Sequence, residues 1–136
     1  MVKVLVADAK EGSIELYRNI LKSAGYTVLA ASTSTEATHL ASFEKPDAII
    51  LNELDGINED HALAKGLRRI IEEGTGKNPL IIRVGTTKST MIDDDWYYPY
   101  DLELQKPIKP SWLLHCLSRL TSPQVPVNHP LPLNGP

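Results

Sequence analysis

The sequence is poor in the residues that mark several common classes of protein. Its 136 residues include one cysteine and one phenylalanine, and no apolar run approaches the length of a membrane span. The single thiol of Cys116 cannot form an internal disulfide, which favours a reducing, cytoplasmic environment. Because Cys116 lies in an apolar helical pattern, we interpret it as buried and inert. No signal peptide is expected, since the first residues lead directly into a strand pattern.

The chain also lacks an excess of positive charge and a glycine-rich phosphate-binding loop after its first predicted strand. The formal net charge is −3, so we expect no general attraction to nucleic acid or to an anionic membrane. Residues 8–13, after the first predicted strand, lack the glycine pattern of dinucleotide sites and the glycine- and hydroxyl-rich loop of flavin sites. The histidines show no metal-ligand spacing; they are His39, His61, His115 and His129. The sequence therefore predicts no bound cofactor.

The most informative segment present is 45–56. Pro46 ends the preceding helical pattern, and an unbroken apolar run from Ala48 to Leu51 follows. A run without polar alternation is typical of a strand buried on both faces of a parallel sheet. The run ends on Asn52. Because ligands of open α/β sheets bind at the carboxyl ends of strands, Asn52 lies where a functional group is expected.

Strand and helix patterns alternate five times along the chain with short connections. This order predicts the α/β class: a single doubly wound, five-stranded parallel sheet with helices on both faces. Region 86–100 has no apolar helical stripe of useful length, so its helix, the fourth, is expected to be short or irregular and to stop before Pro99. The predicted sheet gathers at one edge the residues that close its strands, Asp8, Asn52, Val84 and Lys106.

The composition changes near the end of the chain. Five of the ten prolines lie in the last 14 residues, and no charged side chain follows Arg119. We therefore predict one folded domain over residues 1–121 and a Pro-rich flexible tail or linker over residues 122–136. The tail could lead into a further domain.

Four segments together resemble the receiver domain of two-component response regulators, the CheY-like family with a flavodoxin-like fold. They are Val4-Leu5-Val6-Ala7-Asp8, Pro46 to Asn52, Pro79-Leu80-Ile81-Ile82 and Lys106-Pro107, and the likeness covers residues 2–120. The resemblance implies a phosphoryl-accepting aspartate at the end of the third strand and Mg²⁺ held by that residue and an acidic pair after the first strand. It also implies a Thr or Ser after the fourth strand and a Lys after the fifth that bind phosphoryl oxygens.

The chain departs from that pattern at most of these positions. The acidic pair is Asp8-Ala9, the acceptor position is Asn52, and the Thr or Ser position is Val84. A register slip at Gly85 would instead bring Thr86 and Thr87 near the site. Lys106 is retained, and Pro107 follows it, a proline that in this family often has a cis bond before it.

These departures predict a degenerate phosphoacceptor pocket formed by Asp8, Asn52, Val84 and Lys106. An amide is a poor nucleophile, and with Asp8 as its one carboxylate the pocket should bind Mg²⁺ weakly or not at all. We expect Lys106 to pair with Asp8, and Glu53 to point away from Asn52 across the strand. No catalytic residue and no enzymatic activity are expected.

The resulting hypothesis is a pseudo-receiver, a non-phosphorylatable domain that acts in two-component-type signalling through protein–protein interaction. Two alternatives remain open. One is an atypical receiver that still accepts a phosphoryl group, on Asp8 or Asp55. The other is a small-anion sensor that uses Lys106 and the strand ends.

An aromatic cluster supplies the candidate interaction surface. It comprises Trp96, Tyr97, Tyr98 and Tyr100, and Trp and Tyr are enriched at interface hot spots. In the family that the chain resembles, the face built from the fourth helix, fifth strand and fifth helix is the usual surface for output and dimerisation. The expected partners are a histidine kinase, an output domain or a second copy of the chain. The alternative is that the cluster packs locally over the sheet edge.

Overall fold

The computed structural model describes residues 2–86 and 99–121, with side chains through residue 118. The strands are β1 (Lys3–Ala7), β2 (Thr27–Ala31), β3 (Ala48–Asn52), β4 (Leu80–Gly85) and β5 (Leu102–Gln105). The helices are α1 (Glu11–Ser23), α2 (Ser34–Glu44), α3 (Ile57–Thr75) and α4 (Pro110–Thr121). All strands are parallel in one sheet of order β2-β1-β3-β4-β5. The predicted fold class is confirmed.

Two apolar layers cover the two faces of the sheet, and β3 lies at its centre. One layer packs α1 and α4 against alternate strand residues, including Val6, Ile50 and Val84. The other packs α2 and α3 against the intervening residues, including Leu5, Leu51 and Ile81. Every residue of β3 is buried, as the unbroken apolar run predicted. This burial fixes the register, because a shift of one residue would exchange the two faces.

The helix ends follow local sequence signals. The Thr33 hydroxyl caps α2 by accepting from the Glu36 N–H at 3.1 Å. Gly25, after α1, has φ of +94°, a conformation that glycine adopts at little cost. Helix α3 begins at Ile57, directly after Gly56. Asp60 lies in the first turn, where its buried carboxylate accepts the Leu54 and Asp55 amides and closes the β3–α3 loop.

A buried cation closes the amino edge of the sheet. Arg68 of α3 is 6% exposed and donates to the Asn78 side chain and to the main-chain oxygens of Pro79 and Pro99. It also pairs with Asp101 at 2.9 Å. The Asp101 carboxylate accepts the Ile81 N–H at 2.7 Å as well. One arginine therefore joins the segments that lead into β4 and β5.

Two predictions lie outside the described residues. They are the short or irregular fourth helix, most of whose predicted region is 87–98, and the Pro-rich tail over 122–136. In the described part of the chain, no helix has the length and apolar character needed to cross a bilayer.

Candidate functional site

The polar residues that close the strands meet at the carboxyl edge of the sheet. Asn52 is the last residue of β3, and Asp8 directly follows the neighbouring strand β1. Lys106 directly follows β5, and its N–H donates to the Gly85 oxygen at the end of β4 at 2.9 Å. The peptide bond between Lys106 and Pro107 is cis, in agreement with the expectation from the family. Parallel topology thus brings together residues far apart in sequence.

Asp8 and Asn52 bind each other directly. The Asn52 side-chain amide donates to Asp8 Oδ2 at 2.5 Å, and the Lys10 N–H donates to Asp8 Oδ1 at 2.9 Å. Each side chain is 3% exposed, so water contributes little to this contact. Both oxygens of Asp8 are therefore engaged, and Asn52 Oδ1 is buried without a hydrogen-bond partner among the described residues.

Val84 lies beside Asn52 and carries no polar group. The two residues are paired in the register of β3 and β4. The Val84 side chain is fully buried in the layer under α1 and α4. Val84 is therefore part of the apolar core.

The partner of Lys106 is Glu53, and the predicted Lys106–Asp8 ion pair is wrong. Lys106 Nζ lies 3.3 Å from Glu53 Oε1, and both side chains are about 30% exposed, at 32% and 29%. The other oxygen, Glu53 Oε2, accepts from the Thr86 N–H at 3.0 Å and from the Thr86 hydroxyl at 2.9 Å. Asp8 is already occupied by Asn52 and Lys10, which removes the reason for Lys106 to reach it.

Glu53 also departs from the alternation expected of a strand. Its φ is +42°, a left-handed conformation that is uncommon for a residue with a Cβ. The strand ends at Asn52, so the rule that successive side chains point to opposite faces no longer applies. The left-handed turn directs the Glu53 carboxylate to Thr86 and Lys106, two contacts that the sequence did not predict.

The environment shifts the pKa of two groups near this edge. Partial burial alone would raise the pKa of Glu53, but hydrogen bonds from Thr86 and the Lys106 ammonium outweigh it and lower the pKa. Burial, with a smaller contribution from the Asp8 carboxylate, raises the pKa of Tyr17 to about 12. Glu53 is thus held as a carboxylate and Tyr17 as a neutral phenol.

A cavity of about 530 Å³ adjoins the site between α1 and α4. Its polar groups come from Ser13, Tyr17, Asn52 and Lys106, and the remaining lining is apolar, including Leu16, Ile108 and Leu113. Lys106 is the single cation among the described residues that line the cavity, so its walls offer few groups for a phosphate.

The residues present do not fit the Mg²⁺ site that the resemblance implies. Mg²⁺ prefers several oxygen ligands with one or two carboxylates. Here Asp8 has both oxygens engaged, Asn52 is neutral, and the exposed residue after Asp8 is Ala9. Among residues 2–86 and 99–118, no three His, Cys, Asp or Glu side chains are grouped to hold a metal ion.

The structure bears on one residue of the predicted interaction surface. Tyr100 is 5% exposed and packs in the layer under α2 and α3, with its ring 6.0 Å from that of His61. Its assignment to an exposed binding surface is therefore wrong, because the chain turns it inward just before β5. Trp96, Tyr97 and Tyr98 lie outside the described residues.

Comparisons with known proteins agree with this architecture. No family model matches the chain. Over 59 residues it is 42% identical to the alkaline phosphatase synthesis transcriptional regulatory protein PhoP of Bacillus subtilis (strain 168), a match that covers 40% of this chain and 25% of that protein.

Solved structures match over far more of the chain. The receiver domain (CheY-like) from Methylobacillus flagellatus superposes with a TM-score of 0.74 at 21% identity, covering 88% of this chain and 98% of that one. Chemotaxis response regulator CheY4 of Vibrio cholerae gives 0.68 at 25% identity, with coverage of 88% and 98%. This chain has the fold of the CheY-like receiver domains. The resemblance predicted from the sequence is confirmed at the level of the fold.

The sequence placed Asp8, Asn52, Val84 and Lys106 at the carboxyl edge of the sheet. It did not assign Glu53 and Thr86 to this edge. The signal available for Glu53 was its position directly after the last strand residue, where alternation ends. Thr86 was considered only in the case of a register slip, and in the structure it reaches the site from just beyond β4.

Proposed function

We propose that this chain is a pseudo-receiver, a domain with the receiver fold that does not accept a phosphoryl group and acts by binding a protein. Asn52 carries the proposal. It ends β3 at the acceptor position, and its amide is committed to Asp8. A carboxylate can attack phosphorus to form an acyl phosphate, whereas an amide has neither the charge nor the nucleophilicity for that reaction.

The surrounding residues support the same proposal. Val84 offers no hydroxyl to a phosphoryl oxygen, and Ala9 removes a carboxylate from the metal site. Lys106 and Thr86, the groups best suited to bind phosphoryl oxygens, already bind Glu53. Mg²⁺ binding is accordingly proposed to be weak or lost, and the chain is proposed to have no enzymatic activity of its own.

The proposed role is interaction within a two-component-type pathway. A histidine kinase, an output domain or a second copy of the chain is the expected partner, and neither nucleic acid nor a membrane is proposed as one. The net charge of −3 supports the exclusion of nucleic acid. A cytoplasmic location is proposed because the single cysteine, which is buried, can form no disulfide within the chain.

The alternative is an atypical receiver with a different acceptor. Asp8 is a poor candidate, since both its oxygens accept hydrogen bonds and the side chain is 3% exposed. Asp55 is exposed in the loop after β3, but Glu53 already binds the cation and hydroxyl of this edge. Phosphorylation at Asp55 would therefore lack the groups that stabilise a phosphoryl oxygen.

An amide NMR titration with Mg²⁺, followed by beryllium fluoride, tests the proposal. Beryllium fluoride mimics a phosphoryl group on an acceptor carboxylate. We expect the peaks of Asp8, Asn52 and Lys106 to stay in place through millimolar Mg²⁺ and after beryllium fluoride. Saturating shifts of these peaks with both additions would show a working acceptor pocket and overturn the proposal. The matched control is the double variant Ala9→Asp with Asn52→Asp, which restores two carboxylates and should gain a Mg²⁺ response.

A further inference from the structure

The groups around Glu53 form a small oxyanion site. The Lys106 ammonium, the Thr86 N–H and the Thr86 hydroxyl converge on one carboxylate at 3.3, 3.0 and 2.9 Å. The ammonium faces Oε1 and the two Thr86 donors face Oε2. A cation, a main-chain amide and a hydroxyl that surround one carboxylate are the donors with which proteins bind carboxylate and phosphate oxygens. In this chain the bound oxyanion is part of the protein.

The backbone at Glu53 gives a second observation. Its φ of +42° is uncommon for a residue other than glycine and carries an energetic cost that surrounding contacts must offset. The contacts that the side chain makes are those with Thr86 and Lys106. The turn after β3 is thus held in a conformation that directs a carboxylate into the donor set.

We propose that Glu53 is an internal oxyanion ligand, which occupies the Lys106–Thr86 donor site and holds the carboxyl edge in an oxyanion-bound arrangement without phosphorylation. The inference rests on the proposed function and deepens it. A receiver that depends on phosphorylation brings its hydroxyl and lysine onto an added oxyanion. Here the carboxylate belongs to the Glu53 side chain and lies two bonds beyond Cβ. The liganded arrangement therefore needs no molecule that donates a phosphoryl group. A partner that recognises this edge would bind the chain constitutively.

Tethering also predicts that free anions are excluded. The intact chain should bind acetate or inorganic phosphate poorly, because an external anion must displace a carboxylate that is always present at high effective concentration. Removal of the Glu53 carboxylate should open the site, which is partly exposed: the Lys106 and Glu53 side chains are 32% and 29% accessible.

The experiment is an amide NMR titration of the full chain and of Glu53→Ala with sodium acetate and, separately, with sodium phosphate. Sodium chloride at equal ionic strength is the reference. In Glu53→Ala we expect saturating shifts of the Thr86 and Lys106 amides, at least tenfold larger than in the unmodified chain. Glu44→Ala is the matched control, since it removes a glutamate that pairs with Lys3 at 3.1 Å at the opposite edge. It should respond like the unmodified chain.

Further variants assign the response to the named donors. Adding Lys106→Ala to Glu53→Ala should abolish saturation with both anions. If Glu53→Ala does not fold, Glu53→Gly replaces it, because glycine accepts the positive φ and lacks the carboxylate. Equal responses of the unmodified chain and the Glu53 variant, or no response in a folded Glu53 variant, would overturn the inference.

Failure of the inference can be told apart from failure of the proposed function. Phosphoryl incorporation is measured on the unmodified chain by mass, whereas opening of the anion site is measured on the Glu53 variants by peak shifts. A phosphorylated chain whose Glu53 variant still binds acetate would contradict the pseudo-receiver alone. An unphosphorylated chain whose Glu53 variant ignores both anions would contradict the internal ligand alone.

Discussion

The two edges of the sheet use polar side chains in different ways. At the amino edge, Arg68 binds mainly main-chain oxygens and loop side chains, and it is almost fully buried. At the carboxyl edge, Glu53 binds both Lys106 and Thr86, and the Glu53 and Lys106 side chains are partly exposed. The first network joins segments that would otherwise separate. The second consists of groups suited to an external anion, and a carboxylate of the chain occupies them.

This difference sets what mutations should do. Loss of a buried cation leaves several acceptors unsatisfied in low dielectric, whereas loss of a partly exposed ion pair exposes its partner to water. Substitutions at the amino edge should therefore mainly lower stability. Substitutions at the carboxyl edge should mainly alter which anions bind, with small effects on stability.

The largest expected effect is at Arg68. Arg68→Ala should lower the free energy of unfolding by about 3 kcal/mol, because Asp101 and two main-chain oxygens lose their cation. Urea unfolding followed by circular dichroism measures the change. The neighbouring Arg69, whose side chain is 81% exposed and paired with Glu73, is the matched control. Arg69→Ala should change stability by less than about 0.5 kcal/mol. Equal effects would contradict the stabilising role assigned to the buried network at the amino edge.

The next largest effect is expected at Val84, where the resemblance to receiver domains implies a hydroxyl. Val84→Thr should lower stability by about 2 kcal/mol, since the new hydroxyl enters a fully buried apolar layer. Val28→Thr on the edge strand β2, where the side chain is partly exposed, should cost less than about 1 kcal/mol. A neutral Val84→Thr would show that the position is polar after all.

A smaller effect tests the partner of Lys106. A double-mutant cycle between Lys106→Ala and Glu53→Ala should give a coupling of about 0.5–1 kcal/mol, typical of a partly exposed pair. The cycle between Lys106→Ala and Asp8→Ala should give a coupling near zero, since Asp8 binds Asn52 and Lys10 instead. A larger coupling with Asp8 would restore the ion pair that the sequence predicted.

The smallest effect is the pH dependence contributed by Glu53. Its folded-state pKa is lowered, so its stabilising contribution is fully present above the pKa it has in the unfolded chain. That contribution is lost as the pH falls through the folded-state pKa. The stability difference between the unmodified chain and Glu53→Gln should therefore shrink on acidification below the usual range of a glutamate. A difference that grows as the pH falls would contradict the proposed contacts.

The sheet was predictable because its signals are local. The unbroken apolar run at Ala48–Leu51 and the alternation of strand and helix patterns fix the topology, and the register follows from burial. Asn52 and Val84 could be placed at the same edge of the sheet for the same reason. Their chemistry then follows from residue type alone.

The contacts at the edges were not predictable, because they depend on geometry beyond the strand ends. The positive φ at Glu53 ends the strand alternation. Alternation alone therefore could not predict that the Glu53 carboxylate contacts Thr86 and Lys106. The sequence also did not predict the partner of Arg83, a buried arginine in the otherwise apolar strand β4. Arg83 and Glu103 are paired in the register of β4 and β5 and form a buried ion pair at 3.1 Å. Tyr100 shows the same limit, since composition suggested exposure and the backbone turns it into the core.

The most direct test of the central claim is intact-mass measurement after incubation with acetyl phosphate and Mg²⁺. The account predicts no mass increase for the unmodified chain, since Asn52 cannot form an acyl phosphate and Asp8 accepts a hydrogen bond from the Asn52 amide. An acid-stable, hydroxylamine-sensitive gain of one phosphoryl group on the unmodified chain, mapped to Asp8 or Asp55, would contradict the account and show an active receiver.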